Sequence, residues 1–169
     1  MSDLYTEEIV KRKKSAKEGL LKVLLITGTV LAFLFFLTGI IGWFGMLILL
    51  GFVAADYILI PGLDLEFEYL YVNGEIDIDK IMSKQRRKRV FSGDMANVEK
   101  LAPSASHELD PYRNRQDIKQ EDYSSHEENA KTYSMVIKTE KGMKFVIFEP
   151  NETMLRDMKR IAPREVSLY

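Results

Sequence analysis

The chain contains no cysteine, so disulfides, thiolate catalysis and Cys-based zinc sites are excluded. Histidine is nearly absent too, with only His107 and His126. No HExxH, Walker, GxGxxG or GxSxG pattern occurs. Charge of one sign is not in surplus: the formal net charge of -1 gives no global reason to expect nucleic acid. Paired carboxylates do occur, as in Asp77/Asp79 and Glu127/Glu128, but strand alternation places the first pair on a solvent face. The chain is therefore read as no enzyme, with no cofactor and no metal held by His107 or His126.

What the chain does have is one very long apolar run. Leu20 to Ile60 reads LLKVLLITGTVLAFLFFLTGIIGWFGMLILLGFVAADYILI and carries only two charged side chains, Lys22 and Asp56. As one helix it would extend about 60 Å at roughly 1.5 Å per residue, twice the roughly 30 Å hydrocarbon core. Two crossings fit. Gly39 and Gly42 bracket the natural break, with Trp43 placed for the interface. The spacing thus predicts a transmembrane helical hairpin over 20–60, with helices at 20–38 and 43–60. A buried helix pair in a soluble protein would need a polar face, which this run lacks. A cleaved signal peptide would carry an apolar region of only about 7–15 residues.

Residues 1–19 form a basic arm with Lys11, Arg12, Lys13, Lys14 and Lys17; Lys22 lies just inside the span, and the Gly39–Gly42 turn has no basic residue. The positive-inside rule then puts both termini, Met1 and Tyr169, in the cytoplasm. Lys11, Arg12, Lys13 and Lys14 are read first as a topology determinant. They also suit anionic lipid headgroups, at roughly 1 kcal/mol per basic residue. Within the hairpin, Gly28/Ala32 and Gly51/Ala55 are small pairs suited to helix packing, across the hairpin or against a second copy. Asp56 suggests ion or proton transport, since intramembrane acids are usually functional. A lone acid on two spans gives no pathway, however, and a Lys22–Asp56 pair near the interface is the favoured reading.

Beyond Pro61-Gly62 the pattern changes to strands. Leu65, Phe67, Tyr69 and Tyr71 alternate with Glu66, Glu68 and Leu70, and Asn73-Gly74 then turns the chain into Ile76 and Ile78. A third strand is predicted around Lys88–Phe91. Val98–Ala102 is either a strand or a helical turn, stopped by Pro103. Residues 104–131 are polar and poor in aliphatics, and read as a mobile excursion with room for a short strand or helical turn near Tyr123. Tyr133–Lys138 and Met143–Phe148 make a second hairpin. Asn151 caps a helix whose Met154, Leu155, Met158 and Ile161 share one face, and Pro163 ends it. Lys84, Arg86, Arg87, Lys88 and Arg89 crowd into six positions. They read either as a solubilising turn and protected edge strand or as a surface for an anionic partner.

The order of strands, excursion, hairpin and closing helix resembles the bacterial pleckstrin-homology-like domain over Leu63–Ala162. The whole chain is similar to small bacterial two-helix membrane proteins that carry such a domain. The resemblance implies an α+β chain: a transmembrane hairpin, a 63–162 antiparallel β domain (a bent sheet or partial barrel) closed by a C-terminal helix, and a 163–169 tail. Six strand-like segments are visible where the family usually has seven, so the seventh is expected in the excursion. Eukaryotic phosphoinositide sites lie in the strand 1–strand 2 loop; here Val72-Asn73-Gly74-Glu75 is too short and too acidic for one. The expectation is a non-enzymatic module of the bacterial cytoplasmic membrane that contacts the bilayer, anionic lipid or a protein partner. The alternative is a small accessory subunit that acts through its transmembrane hairpin in a larger complex.

Overall fold

The computed structural model describes residues 5–168; the termini Met1 and Tyr169, expected in the cytoplasm, lie outside them. Two compact units emerge. One is the apolar hairpin, residues 13–65, together with the short turn 82–86; the other gathers 1–12, 66–81 and 87–169. The β domain therefore begins before the hairpin, not after it.

Within the described residues the chain opens with β1, Tyr5–Lys11, in what the sequence presents as a basic arm. Two helices follow, α1 (Ala16–Leu37) and α2 (Trp43–Leu59), and a single 3-10 turn, Ile60–Leu63, continues the second. Both helices are long and apolar enough to cross a membrane. At 22 residues α1 would extend about 33 Å, close to a bilayer core. Glu18 accepts from the Ser15 amide at 2.9 Å in a capping box, which starts the helix ahead of the apolar run. Gly39 and Gly42 take φ of 68° and 58° in the connecting turn, a left-handed geometry that suits glycine.

The β domain has two four-stranded sheets. The first contains β1, β2 (Leu65–Val72), β3 (Glu75–Met82) and β4 (Arg86–Asp94), in that order. β1 runs antiparallel to β2 from Tyr5↔Val72 to Lys11↔Glu66. Thr6 Oγ1 donates to Asp157 at 3.5 Å and Glu8 accepts from Asn151 Nδ2 at 2.8 Å, while Val10 packs on the core. These inward contacts are mostly polar, which is why hydrophobic alternation does not reveal the strand.

The second sheet has the order β5 (Val98–Pro103), β7 (Tyr133–Thr139), β8 (Gly142–Phe148), β6 (Lys119–Asp122). β6 pairs parallel to β8, from Lys119↔Lys144 to Asp122↔Ile147. The 104–131 segment is thus ordered: it holds a 3-10 turn at His107–Leu109, the short helix α3 (Asp110–Arg113) and a sheet strand. Leu109 and Ile118 are buried with Ala102, Val136 and Phe145 on one face of the sheet. The expectation of a mobile excursion fails because this sheet is apolar on both faces and needs a cover. The seventh strand expected in this segment is β6, and β1 is an eighth that the sequence did not reveal.

The other face of the second sheet meets the first. Phe67, Tyr69, Tyr71, Ile76 and Ile78 pack with Met135, Ile137, Val146 and Phe148. Helix α4, Glu152–Ile161, closes this core with Met154, Leu155 and Met158, and Asn151 caps it by accepting from the Met154 amide at 2.8 Å. Lys159 donates to the carbonyls of Pro163 and Val166 beyond the helix end. The tail then pairs with β5: Leu101 donates to Glu165 at 2.8 Å and Ser167 donates to Leu101 at 2.7 Å. Leu155 is only 6% exposed, so Leu155→Ala should cost about 2–5 kcal/mol through lost transfer energy plus a cavity. Pulse proteolysis of the full chain in neutral detergent would show it as a lower denaturant midpoint.

Candidate functional site at the open end of the hairpin

The residues of the basic run at 84–89 are all exposed, and they have different neighbours. Ser83 and Lys84 adopt φ of 48° and 58°, making a tight left-handed turn between β3 and β4. Past that turn, Arg87 Nη2 donates to Glu68 Oε1 at 2.7 Å, and Arg89 meets Asp77 at 3.0 Å and Asp79 at 3.5 Å. Glu68 and Asp79 are 2% and 6% exposed, so Asp79 is not on the solvent face expected for it, and these arginines neutralise buried carboxylates on β2 and β3. Burial pushes the Glu68 carboxyl above the usual carboxylate range; Arg87 opposes that shift and Glu7 adds to it. Of the five residues proposed as an anionic-partner surface, Arg87 and Arg89 are paired with these carboxylates while still exposed, and Lys88 is exposed on the same strand.

Lys84 and Arg86 go elsewhere. The Ser83 amide donates to the Asp64 carbonyl at 2.8 Å and its hydroxyl to the Pro61 carbonyl at 3.5 Å, which fastens the turn to the hairpin exit. Arg86 then lies over the Tyr57 ring, 4.7 Å from its centroid. Lys14, from the start of the hairpin, reaches Asp64 at 3.0 Å. A hollow of about 70 Å³ opens among these groups, lined by Lys14, Glu18, Lys22, Asp64 and Ser83 over Ile60 and Leu63. Two basic runs some seventy positions apart in sequence (14–22 and 84–86) therefore share one end of the hairpin. Lys11, by contrast, is a strand residue registered on Glu66, and Arg12 falls in the β unit while Lys13 and Lys14 fall in the hairpin unit.

The hairpin seam differs from its sequence reading. Asp56 accepts from Thr29 Oγ1 at 2.6 Å, and the same hydroxyl lies 3.2 Å from the Leu25 carbonyl. Lys22 does not reach Asp56. Gly28 lies against Phe52 and Gly45 against Phe36, and Lys22 lines the hollow at the open end with Ile60 and Leu63. A Cβ on Gly28 would stand 2.9 Å from the Phe52 ring, so this glycine serves packing across the hairpin. Gly51 instead faces open space, and Ala32 and Ala55 are half-buried. The sequence reading missed Gly45 and Thr29.

Elsewhere, a cleft of about 990 Å³ lies between the β7–β8 turn and residues 92–97, with lysines and carboxylates of mixed sign along its walls. His107 contacts Asp110 at 3.0 Å and His126 contacts Asp122 at 3.7 Å, both on the surface of the 104–131 segment. No curated protein and no solved structure matches this chain. Residues 2–168 match the family model described as a bacterial PH-like domain (DUF6106), and with its strand sandwich and closing helix the chain belongs to that family.

Proposed function

We propose that this protein is a non-enzymatic interaction module of the bacterial cytoplasmic membrane. Its hairpin spans the bilayer and its PH-like domain is displayed on the cytoplasmic side. One observation carries the reading. The two apolar helices expose side chains such as Leu24, Leu31, Phe44 and Leu47 around their circumference, while the cations gather at one end. A water-exposed surface of that kind is unfavourable, and a bilayer satisfies it. Tyr57 and Trp43, 69% and 70% exposed near opposite ends of α2, suit the two interfaces. The basic residues at the open end, with none in the 39–42 turn, favour the cytoplasm for that end. PH-like domains generally serve interaction and not catalysis, which supports the module.

The accessory-subunit reading draws on Gly51, whose open face would admit a neighbouring helix at close range. Photo-crosslinking side chains placed singly at Leu47 and at Lys141 of the full chain separate the two. The module reading expects one defined protein adduct from Lys141 and only lipid adducts from Leu47. A defined protein adduct from Leu47 alone would favour the subunit.

A further inference from the structure

Among the described residues at the open end of the hairpin, Lys17, Lys22, Lys84 and Arg86 make no ion pair with a carboxylate. Lys14 is held by Asp64 at 3.0 Å, but Lys22, Lys84 and Arg86 are exposed and have no acidic partner among the described residues. Arg86 is stacked on Tyr57, a ring near the last turn of α2, so its charge is fixed close to where the apolar surface ends. Lys84 is held in place by a strained pair of left-handed residues whose first member, Ser83, is bonded to both Asp64 and Pro61. Lys22 lines the small hollow from the α1 side.

We infer that Lys22, Lys84 and Arg86 form a binding site for the phosphate of an anionic phospholipid. This inference rests on the membrane reading above and deepens it. The occupant is a lipid and not a free phosphate, because the site borders the exposed apolar flank of the helices. A bound headgroup would place its acyl chains along Ile58 and Leu59, both exposed. The arginine supplies a planar fork for phosphate oxygens, and the two lysines supply point charges around it. The β3–β4 turn belongs to the same compact unit as the hairpin, and lipid held there would secure that turn at the bilayer surface. The basic run is thereby divided in purpose: its first half serves the lipid and its second half serves the buried carboxylates of the sheet.

The test uses the full chain in neutral detergent with phosphatidylglycerol or phosphatidylcholine added, and native mass spectrometry to count retained lipids. Each basic residue near anionic lipid is worth about 1 kcal/mol, or roughly fivefold in association. Phosphatidylglycerol should therefore be retained over phosphatidylcholine by at least about tenfold. K22Q/K84Q/R86Q should abolish that preference, while K88Q/K141Q, which removes charge elsewhere, should preserve it. Equal retention of the two lipids by the wild type, or an unchanged preference in the triple variant, overturns the site. Displacement of the lipid by millimolar inorganic phosphate would overturn its assignment to lipid. A membrane reading that is itself wrong is seen separately, as protein released from cell membranes by alkaline wash.

Discussion

Replacing residues 104–131 with a short linker should unfold the β domain. On sequence alone the opposite is expected, since a polar loop can be shortened at little entropic cost. The structure reverses this. Leu109 and Ile118 are 0% and 5% exposed and cover Val136 and Phe145 on the sheet's second face. Losing two such side chains forfeits about 1.5–3 kcal/mol each. The segment also supplies the Tyr123 carbonyl that accepts from the buried Tyr69 hydroxyl at 2.6 Å, and Ser125, whose amide donates to Glu149. A buried donor left without a partner costs about 1–3 kcal/mol more. With β6 gone as well, the loss approaches the whole stability of a small domain, about 5–15 kcal/mol. Loss of amide dispersion in the deletion variant is the expected readout. A native-like spectrum with an unchanged denaturant midpoint would show the segment to be dispensable.

The second large effect concerns the first strand. A fragment starting at Leu63 has the sequence elements that look sufficient for a fold, yet it lacks β1. Its absence uncovers the edge of β2 over seven registered pairs, strips Val10 from the core and leaves Asp157 and Asn151 without Thr6 and Glu8. Cross-strand pairs are worth about 0.2–1 kcal/mol each, so the loss over seven pairs is roughly 1.5–7 kcal/mol. A chain joining Lys11 to Glu66 through Asn-Gly restores the strand in its observed register, because that dipeptide makes the tight turn an antiparallel pair needs. This fusion should fold in water and withstand more urea than the 63–169 fragment. Equal midpoints would mean β1 contributes nothing to the sheet.

Both results turn on what could be read from residues. The apolar run from Leu20, the alternating strands around Asn73-Gly74, the second hairpin and the Met154–Ile161 stripe were legible because their periodicity is strong. β1 was not, because its inward side chains are Thr6, Glu8 and Val10, and the neighbouring Lys11–Lys14 run dominates the stretch. The 104–131 segment hid its role by spacing Leu109, Tyr112 and Ile118 among charges. The available signal lay in its partners: Met135-Val136-Ile137 and Phe145-Val146-Ile147 are continuous apolar runs, the mark of a sheet covered on both faces. The candidate site was half legible. Composition identified the basic residues, but only the Ser83 bonds to Pro61 and Asp64 bring Lys84 and Arg86 to the hairpin. The Thr29–Asp56 bond was not legible, because counting outward from the turn sets Lys22 nearer to Asp56 than Thr29.

Strand order also changes what the hairpin is. β1 and β2 are neighbours in one sheet, and residues 12–64 are their connection. The first two strands of the PH-like domain are therefore joined through the apolar helices, and the short Asn73-Gly74 turn joins the second and third. Any membrane insertion of the hairpin thus tethers the domain twice, through the ends of two adjacent strands.

The central claim is that the helices cross a bilayer with the domain on the cytoplasmic side. The chain has no native cysteine, so single cysteines can be read without background. Ile40→Cys lies in the turn between the helices, at a side chain 76% exposed, and Glu140→Cys lies in the exposed β7–β8 turn. A membrane-impermeant maleimide applied to intact spheroplasts should label Ile40→Cys, and should label Glu140→Cys only after lysis. Labelling of Glu140→Cys in intact spheroplasts would contradict the account.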